Sequence, residues 1–153
     1  MTTTPPASPS ALKAILWGGL IASFCDMIFA FASYGLRLGV FQSVLGGIIG
    51  REAARAGGVP AFVAGLTLHY LIGIIWAALY WLASRRLPAL VRHTIPAGLA
   101  YGIVIFYGMN CVVLPLSALR ARAWPPPWAP LAIAVHMVFV GLPIALAARK
   151  FSR

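Results

Sequence analysis

Apolar and polar positions along this chain are grouped in long blocks. Four apolar stretches, at about residues 14–35, 60–83, 95–117 and 129–148, are separated by short polar or basic segments. Each is long enough for an α-helix across a bilayer, which needs roughly 20 residues. The pattern predicts an all-α, polytopic membrane protein, in which a bundle of four transmembrane helices forms a single domain over residues 13–150.

The segment between the first two apolar stretches has a different periodicity. Over about residues 39–56, Val40, Val44 and Ile48 recur every four residues, and polar side chains take the opposite side. This predicts an amphipathic helix that is too polar to cross the bilayer and lies at its interface. The glycines in this segment would also permit a re-entrant turn that enters the membrane partway.

The first residues of the chain predict no packed structure. Residues 1–12 are dominated by Thr, Pro, Ala and Ser, the composition of a disordered tail. Residues 30–32, Ala-Phe-Ala, resemble a signal-peptidase site. The apolar stretch around them is, however, longer than that of a signal peptide and contains Asp26, so we expect the first span to be retained.

The distribution of basic residues predicts the orientation in the membrane. Four spans put both termini on one side, which carries seven Lys and Arg residues against five on the other side. This favours cytoplasmic termini. In the last loop, Trp124 and Trp128 are expected to anchor the chain at the interface. At the end of the second span, Trp76, Tyr80 and Trp81 predict an aromatic belt at the headgroup level.

Composition supports a lipid environment and argues against several function classes. The chain has 61% hydrophobic and 9% charged residues, whereas soluble domains have about a quarter of their residues charged. Its net charge of +10 comes from short basic clusters beside apolar stretches, without a surface or motif that would bind nucleic acid. The sequence has no P-loop, GxSxG or HExxH motif, so we do not expect an enzyme.

Each apolar stretch contains one strongly polar residue, and the four form the candidate site: Asp26, His69, Asn110 and His136. Polar groups inside a span cost free energy and are often functional. At a rise of 1.5 Å per residue, all four lie ~10 to ~13 Å from the presumed outer ends of their helices. Each also shares a helix face with small residues, where membrane helices meet. The spacing therefore predicts one polar layer inside the membrane.

Several kinds of chemistry are open to this layer. His69, His136 and Asp26 together match the ligands of a divalent transition metal. The same groups could relay protons, because imidazoles titrate near neutral pH. Two histidines on different helices could also bind a haem axially, but bulky Phe residues nearby leave little room, so we rank haem last. In a purely structural interpretation, the layer only hydrogen-bonds the helices to one another.

Glu52, Cys25 and Cys111 are secondary candidates. Cys25 adjoins Asp26 and Cys111 adjoins Asn110, so either thiol could be a soft metal ligand. The simpler interpretation of both is a small buried hydrophobic side chain. Glu52 is expected at the interface and in contact with solvent, unless a re-entrant turn brings it to the site.

Four short segments carry a resemblance to known proteins. They are GLTLHY at 65–70, SRRLP at 84–88, MNCVVLPLS at 109–117 and GLPIAL at 141–146. With these segments the chain resembles small bacterial integral membrane proteins of unknown function, over about residues 12–150. The resemblance implies a four-span architecture and a bacterial inner-membrane location. It implies no activity, cofactor or catalytic residue.

Three functions follow from these interpretations. The first is a small transport-type protein that handles ions, protons or a metal through the polar layer. The second is a non-catalytic assembly or partner subunit in which the layer only fixes helix packing. The third is a bis-histidine haem-binding redox protein. Besides the lipid bilayer, we expect a homodimer or a membrane partner protein, because four short helices shield a site only modestly.

Overall fold

The computed structural model describes residues 9–120 and 129–151. Within these ranges the chain is almost entirely helical and has no strand. Four helices are long and apolar enough to cross a membrane, namely Ser10–Tyr34, Gly58–Arg86, Thr94–Leu116 and Ala129–Lys150. These helices confirm the predicted all-α bundle of four spans. The predicted interfacial anchors Trp124 and Trp128, and most of the predicted tail, lie outside the described residues.

The helices are labelled α1 to α7 in chain order. They are α1 (Pro9–Tyr34), α2 (Gly39–Ile49), α3 (Arg51–Ala56), α4 (Gly58–Arg86), α5 (Ala89–Arg92), α6 (Thr94–Leu116) and α7 (Ala129–Lys150). The spans are α1, α4, α6 and α7. Helix α1 begins inside the stretch predicted as a tail, because Ala11 and Ala14 are buried in the same core as Ala148 of α7. This tertiary contact extends the helix beyond its apolar stretch.

The amphipathic helix predicted over residues 39–56 is two helices, α2 and α3. Gly50 separates them with a φ of +87°, a conformation that residues with a side chain rarely adopt. Its amide donates to the carbonyl of Gly46, which ends α2. Helix α3 then folds back, so that Ala54 is buried beside Gly46. The prediction was wrong on this point because apolar spacing does not record the backbone angle of one glycine.

Helix α2 lies against α4 with their backbones in contact. A Cβ at Gly65 would overlap the carbonyl of Phe41, so the approach requires glycine. Gln42 reinforces the contact, because its Nε2 donates to the carbonyl of Gly58 at 2.8 Å. The ring of Phe41 is buried and meets His69 edge-to-face at 5.1 Å. Helix α2 is therefore docked on the second span and covers its histidine.

Glycines also set the distances between the spans. A Cβ at Gly19 of α1 would lie only 2.6 Å from the Cα of Ile74 on α4. A Cβ at Gly102 of α6 would overlap the backbone of His136 and Met137 on α7. Such close approach is typical of membrane helices, which associate by packing small residues. The spans thus form three closely packed pairs, α1 with α4, α1 with α7 and α6 with α7.

Trp76, Tyr80 and Trp81 do not form the predicted aromatic belt. Tyr80 and Trp81 are only 1% and 6% exposed and belong to the core. The Tyr80 hydroxyl donates to the carbonyl of Leu90 at 3.0 Å, and the Tyr101 hydroxyl donates to the carbonyl of Trp76 at 2.8 Å. These rings fill the space between α4 and α6. Because the two hydroxyl groups reach carbonyls and the Nε1 of Trp76 donates to the Sδ of Met109 at 3.4 Å, Trp76, Tyr80 and Tyr101 can be packed here at little cost.

Many large apolar side chains on the spans remain exposed. Trp17, Leu82, Val112 and Leu131 are each more than half exposed. Soluble monomers rarely leave such large apolar areas uncovered. Lipid tails would cover them, so the outer surface fits a bilayer environment and a multi-pass architecture.

Candidate intramembrane site

All four spans and α2 line a cavity of about 210 Å³, here called the inner cavity. Its polar lining comes from Ser23 and Asp26 on α1, His69 on α4 and His136 on α7. A single water needs roughly 10–15 Å³ of such space, so the inner cavity has room for several waters. Three members of the predicted polar layer therefore line one cavity. Ser23, which was not among the predicted site residues, lines it with them.

His69 joins α4 to α1. Its Nε2 lies 3.0 Å from the carbonyl oxygen of Ser23. Because a carbonyl can only accept, Nε2 must carry the hydrogen, and Nδ1 is then the unprotonated nitrogen of the neutral ring. The ring is held edge-to-face by Phe41 on one side and by Tyr70 on another. The side chain is therefore fixed in position while one of its nitrogens stays available.

His136 is held within its own helix. Its Nδ1 lies 2.8 Å from the carbonyl of Ala132, one turn earlier on α7, and its ring meets Phe106 edge-to-face at 5.3 Å. Here Nδ1 carries the hydrogen, so Nε2 is the acceptor of the neutral ring. Both histidines thus donate to a carbonyl through one nitrogen and keep the other free.

Asp26 is partly exposed and is the carboxylate of the inner cavity. It forms no hydrogen bond or ion pair with another described residue. An unpaired carboxylate inside a membrane span is unfavourable unless water reaches it. Asp26 also lines a second, larger cavity, which supplies a route for that water.

Ser23 carries an unsatisfied hydroxyl. The residue is 3% exposed, and its Oγ has no hydrogen-bond partner among the described residues. A buried hydroxyl without a partner costs about 1–3 kcal/mol, so a polar guest in the inner cavity would be favoured. A Cβ at Gly73 would overlap this Oγ, so glycine at that position is needed to leave room for the hydroxyl.

Asn110 does not join the layer, which corrects the prediction of four members. Its Nδ2 donates to the carbonyl of Phe106, one turn earlier on α6, at 2.8 Å. Met109, the preceding residue, lines the inner cavity in its place. Because the side-chain amide of Asn110 already has a hydrogen-bond partner on its own helix, it does not need one on another span.

Two π-helical turns lie at the polar positions of α6 and α7. They cover Met109–Val113 and His136–Gly141, and each is followed by a Leu-Pro pair that ends in Pro115 or Pro143. Proline removes an amide donor and crowds the carbonyl four residues earlier, so a wider turn can accommodate it. One extra residue in a turn rotates the following positions by about 100°. The prolines are the sequence signal for these turns.

The predicted metal ligands His69, His136 and Asp26 line one cavity, but they do not form a metal-binding cluster. Residues 9–120 and 129–151 contain no group of three or more His, Cys, Asp or Glu side chains that could hold a metal ion. Cys25 is half-buried and Cys111 is exposed, and neither lines the inner cavity. Glu52 is exposed on α3 and lies outside both cavities. The volume of the inner cavity is also below the roughly 300–1,000 Å³ of pockets for larger ligands, which leaves no room for haem.

The larger cavity, of about 680 Å³, lies under α2 and α3 and adjoins the inner cavity. The two share Asp26, Val44 and His69 in their linings. Its polar lining also includes three arginines, from the α1–α2 connection and from α3, and we call it the basic vestibule. They are Arg37, Arg51 and Arg55. Asp26 and His69 therefore line both the cavity of the arginines and the cavity that contains His136.

Comparison of the chain with protein-family models, with curated proteins and with solved structures finds no match. No site residue, substrate or cofactor can therefore be transferred from a relative. The chemistry of the chain rests on the inner cavity and the basic vestibule.

Proposed function

We propose that this chain is a small multi-pass protein of a bacterial inner membrane that relays protons through the inner cavity. The observation that carries the proposal is that three ionisable side chains line one cavity with room for several waters inside the bundle. They are a carboxylate without a hydrogen-bond partner among the described residues and two imidazoles that each use one ring nitrogen to donate to a carbonyl. Ionisable groups in such a position mark proton and ion pathways in membrane proteins. The unsatisfied hydroxyl of Ser23 adds a fourth group that can bind water there.

The hydrogen bonds of the two histidines suit reversible protonation. His69 donates through Nε2 and His136 through Nδ1, and the bonded nitrogen carries a hydrogen in both the neutral and the charged ring. A proton can therefore be gained or lost at the other nitrogen without breaking either contact. An imidazole can accept a proton at one ring nitrogen and release one from the other, which makes both rings suitable relay groups.

Asp26 is the natural link between the two cavities. It lines both of them, and its carboxylate is not engaged by another described residue. Water in the basic vestibule could pass a proton to Asp26, and water in the inner cavity could pass it on to His69 and His136. Water-mediated hydrogen bonds are nearly as favourable as direct ones, so the relay needs no direct contact between these side chains.

Protons fit this site better than metal cations do. The described residues provide no cluster of metal ligands. Arg37, Arg51 and Arg55 at the basic vestibule would repel an approaching cation. The arginines also oppose a proton, which is a positive charge too, but the carboxylate of Asp26 in the same lining offsets part of that repulsion and can accept the proton. The excess of basic residues on the side of the termini favours cytoplasmic termini, and with that orientation the basic vestibule would face the periplasm.

Proton flux into vesicles tests the proposal. Purified protein is reconstituted into vesicles that contain a pH-sensitive dye, and a potassium diffusion potential drives protons inward. Wild-type vesicles should acidify faster than protein-free vesicles, and Asp26→Asn should remove most of the difference because it removes the link between the cavities. Equal rates for wild type and Asp26→Asn would overturn the proposal.

The histidines supply a matched control for the same assay. His69→Gln and His136→Gln should each slow the flux, because glutamine cannot gain and lose a proton near neutral pH. His93→Gln should leave it unchanged, since His93 is exposed and lies outside both cavities. An equal loss in all three variants would indicate a general effect on folding.

A structural role for the polar layer is the second candidate, and the bond from His69 to the Ser23 carbonyl favours it because that bond joins two spans. In that case the chain would be an assembly subunit, working as a homodimer or with a membrane partner protein. Wild-type vesicles would then show no flux above the protein-free level. His69→Gln would lower the unfolding temperature and release the co-purifying chain.

A further inference from the structure

The arginines of the basic vestibule are gathered on one side of α3 and its neighbouring connection. Arg51 and Arg55 are four residues apart on α3, which places them on the same helix face. Arg37, from the α1–α2 connection, lines the same cavity. Glu52 follows Arg51 directly but is not part of the lining, so α3 presents its two cations to the cavity without its acid. The fold therefore places three positively charged side chains along one cavity.

The described acidic residues offset only part of the charge of this cluster. None of the three arginines forms an ion pair with another described residue. Asp26 lines the same cavity, but its single charge is smaller than the three positive charges. Two other polar side chains there already form hydrogen bonds. Gln42 donates to the carbonyl of Gly58, and Ser43 donates to the carbonyl of Val40. The guanidinium groups are the positively charged donors of the basic vestibule.

We infer that the basic vestibule binds a phosphate-type oxyanion through Arg37, Arg51 and Arg55. A guanidinium group offers a planar fork of donors that matches two oxygens of a phosphate, and an anion between the arginines also relieves their mutual repulsion. The site goes beyond the proposed proton relay, because it holds a ligand of opposite charge. Asp26, at the inner end, repels an anion and keeps it among the arginines.

The lining also accommodates an apolar part of the ligand. Phe41, Leu114 and Leu119 line the basic vestibule together with the arginines. Its volume of about 680 Å³ lies within the roughly 300–1,000 Å³ of pockets that enclose small organic ligands. The phosphate group can therefore belong to a phospholipid headgroup or to a soluble phosphate. The chemistry recognised by the arginines is the same in both cases.

Binding measured by calorimetry on delipidated, detergent-solubilised protein tests the inference. The probes are a short-chain phosphatidylglycerol and, separately, inorganic phosphate. The triple variant Arg37→Gln, Arg51→Gln, Arg55→Gln should bind the better of the two probes at least about tenfold more weakly than wild type, because charge-assisted hydrogen bonds are lost. Tight binding of the lipid alone assigns the site to a headgroup, and equal binding of inorganic phosphate assigns it to a soluble anion.

A charge-matched control separates the site from general attraction. The triple variant Lys13→Gln, Arg86→Gln, Arg92→Gln removes the same number of charges at exposed positions outside both cavities. It should change the affinity by less than about twofold. Equal weakening in the two triple variants, or no measurable binding of either probe to wild type, would overturn the inference.

Two further variants keep the test decisive. If the arginine triple variant does not fold, Arg51→Gln and Arg55→Gln singly should each still weaken binding, and unchanged affinity in both would overturn the inference.

Asp26→Asn should bind the anion at least as tightly as wild type, because it removes a repelling charge. The same variant should lose proton flux, so a failure of the relay and a failure of the anion site are told apart.

Discussion

The two histidines of the inner cavity are held in different ways, although they lie in comparable positions on two spans. His69 donates to the carbonyl of Ser23 on another helix, so its ring is part of the contact between α4 and α1. His136 donates to Ala132 on its own helix and forms no side-chain hydrogen bond to another span within the described residues. The same side chain therefore links helices in one region and not in the other.

The helix contacts differ in the same way. The pair α6 and α7 depends on backbone approach, with Gly102 against the π-helical turn that begins at His136. The pair α1 and α4 also has close glycine contacts, but it adds the bond from His69 and the cover that Phe41 provides. His69 is thus held by a hydrogen bond to another helix, whereas the helix that carries His136 is held in place by packing. His136 is consequently the better candidate for a group that acts only in proton transfer.

The largest effect is expected at the α6–α7 contact. Gly102→Ala places a Cβ on the backbone of His136 and Met137, and backbone cannot move aside as a flexible side chain can. We expect a loss of about 1–3 kcal/mol in the free energy of unfolding. Gly39→Ala is the control, because a Cβ there meets nothing within 4 Å. Unfolding in detergent measures both, and equal stability would contradict the packing described here.

An intermediate effect should separate the two histidines. His69→Phe removes a hydrogen bond between helices, and such bonds contribute about 0.6 to 1.7 kcal/mol in membrane proteins. His136→Phe removes only a bond within one helix, so we expect a smaller loss of unfolding free energy. The same unfolding measurement on the two variants checks this. If His136→Phe cost as much as His69→Phe, the contrast between the two regions would be wrong.

The smallest effect is expected for the unpaired hydroxyl of the inner cavity. If water satisfies it, Ser23→Ala should lower the free energy of unfolding by about 0.5–1 kcal/mol. Ser84→Ala is the control, since Ser84 is also buried and donates to the carbonyl of Trp81 within its own helix. A gain in stability for Ser23→Ala would show instead that the cavity is dry, and proton transfer through it would then lack a medium.

Much of the fold could be predicted from the sequence because a bilayer imposes strict lengths. A span must be apolar over roughly 20 residues and must satisfy its backbone by helix formation, so hydropathy alone located α1, α4, α6 and α7. The region between α1 and α4 was harder to predict. Its apolar spacing indicated one helix, whereas the positive φ of Gly50 divides it into two.

The candidate site could be predicted only in part. Equal depth and small-residue faces grouped Asp26, His69 and His136, and these three do line one cavity. The same argument wrongly included Asn110, whose amide is satisfied on its own helix. It also gave no role to the hydroxyl of Ser23. Whether a side chain faces the cavity depends on its angular position around the helix, which changes by about 100° from one residue to the next. The π-helical turns shift these angular positions locally, and the sequence argument did not include them.

The sequence by itself determined that the chain has four spans, that each carries one strongly polar residue, and that basic residues flank them. The reason is that each residue contributes its own free energy of transfer into lipid, and these contributions can be summed along the sequence without knowledge of the fold. Only the tertiary structure decided which nitrogen each histidine uses and which of the polar residues share a cavity. Only the tertiary structure also showed that Arg37, Arg51 and Arg55 line one cavity, the basic vestibule. Those outcomes depend on helix rotation and on contacts between residues far apart in sequence, which no local pattern encodes.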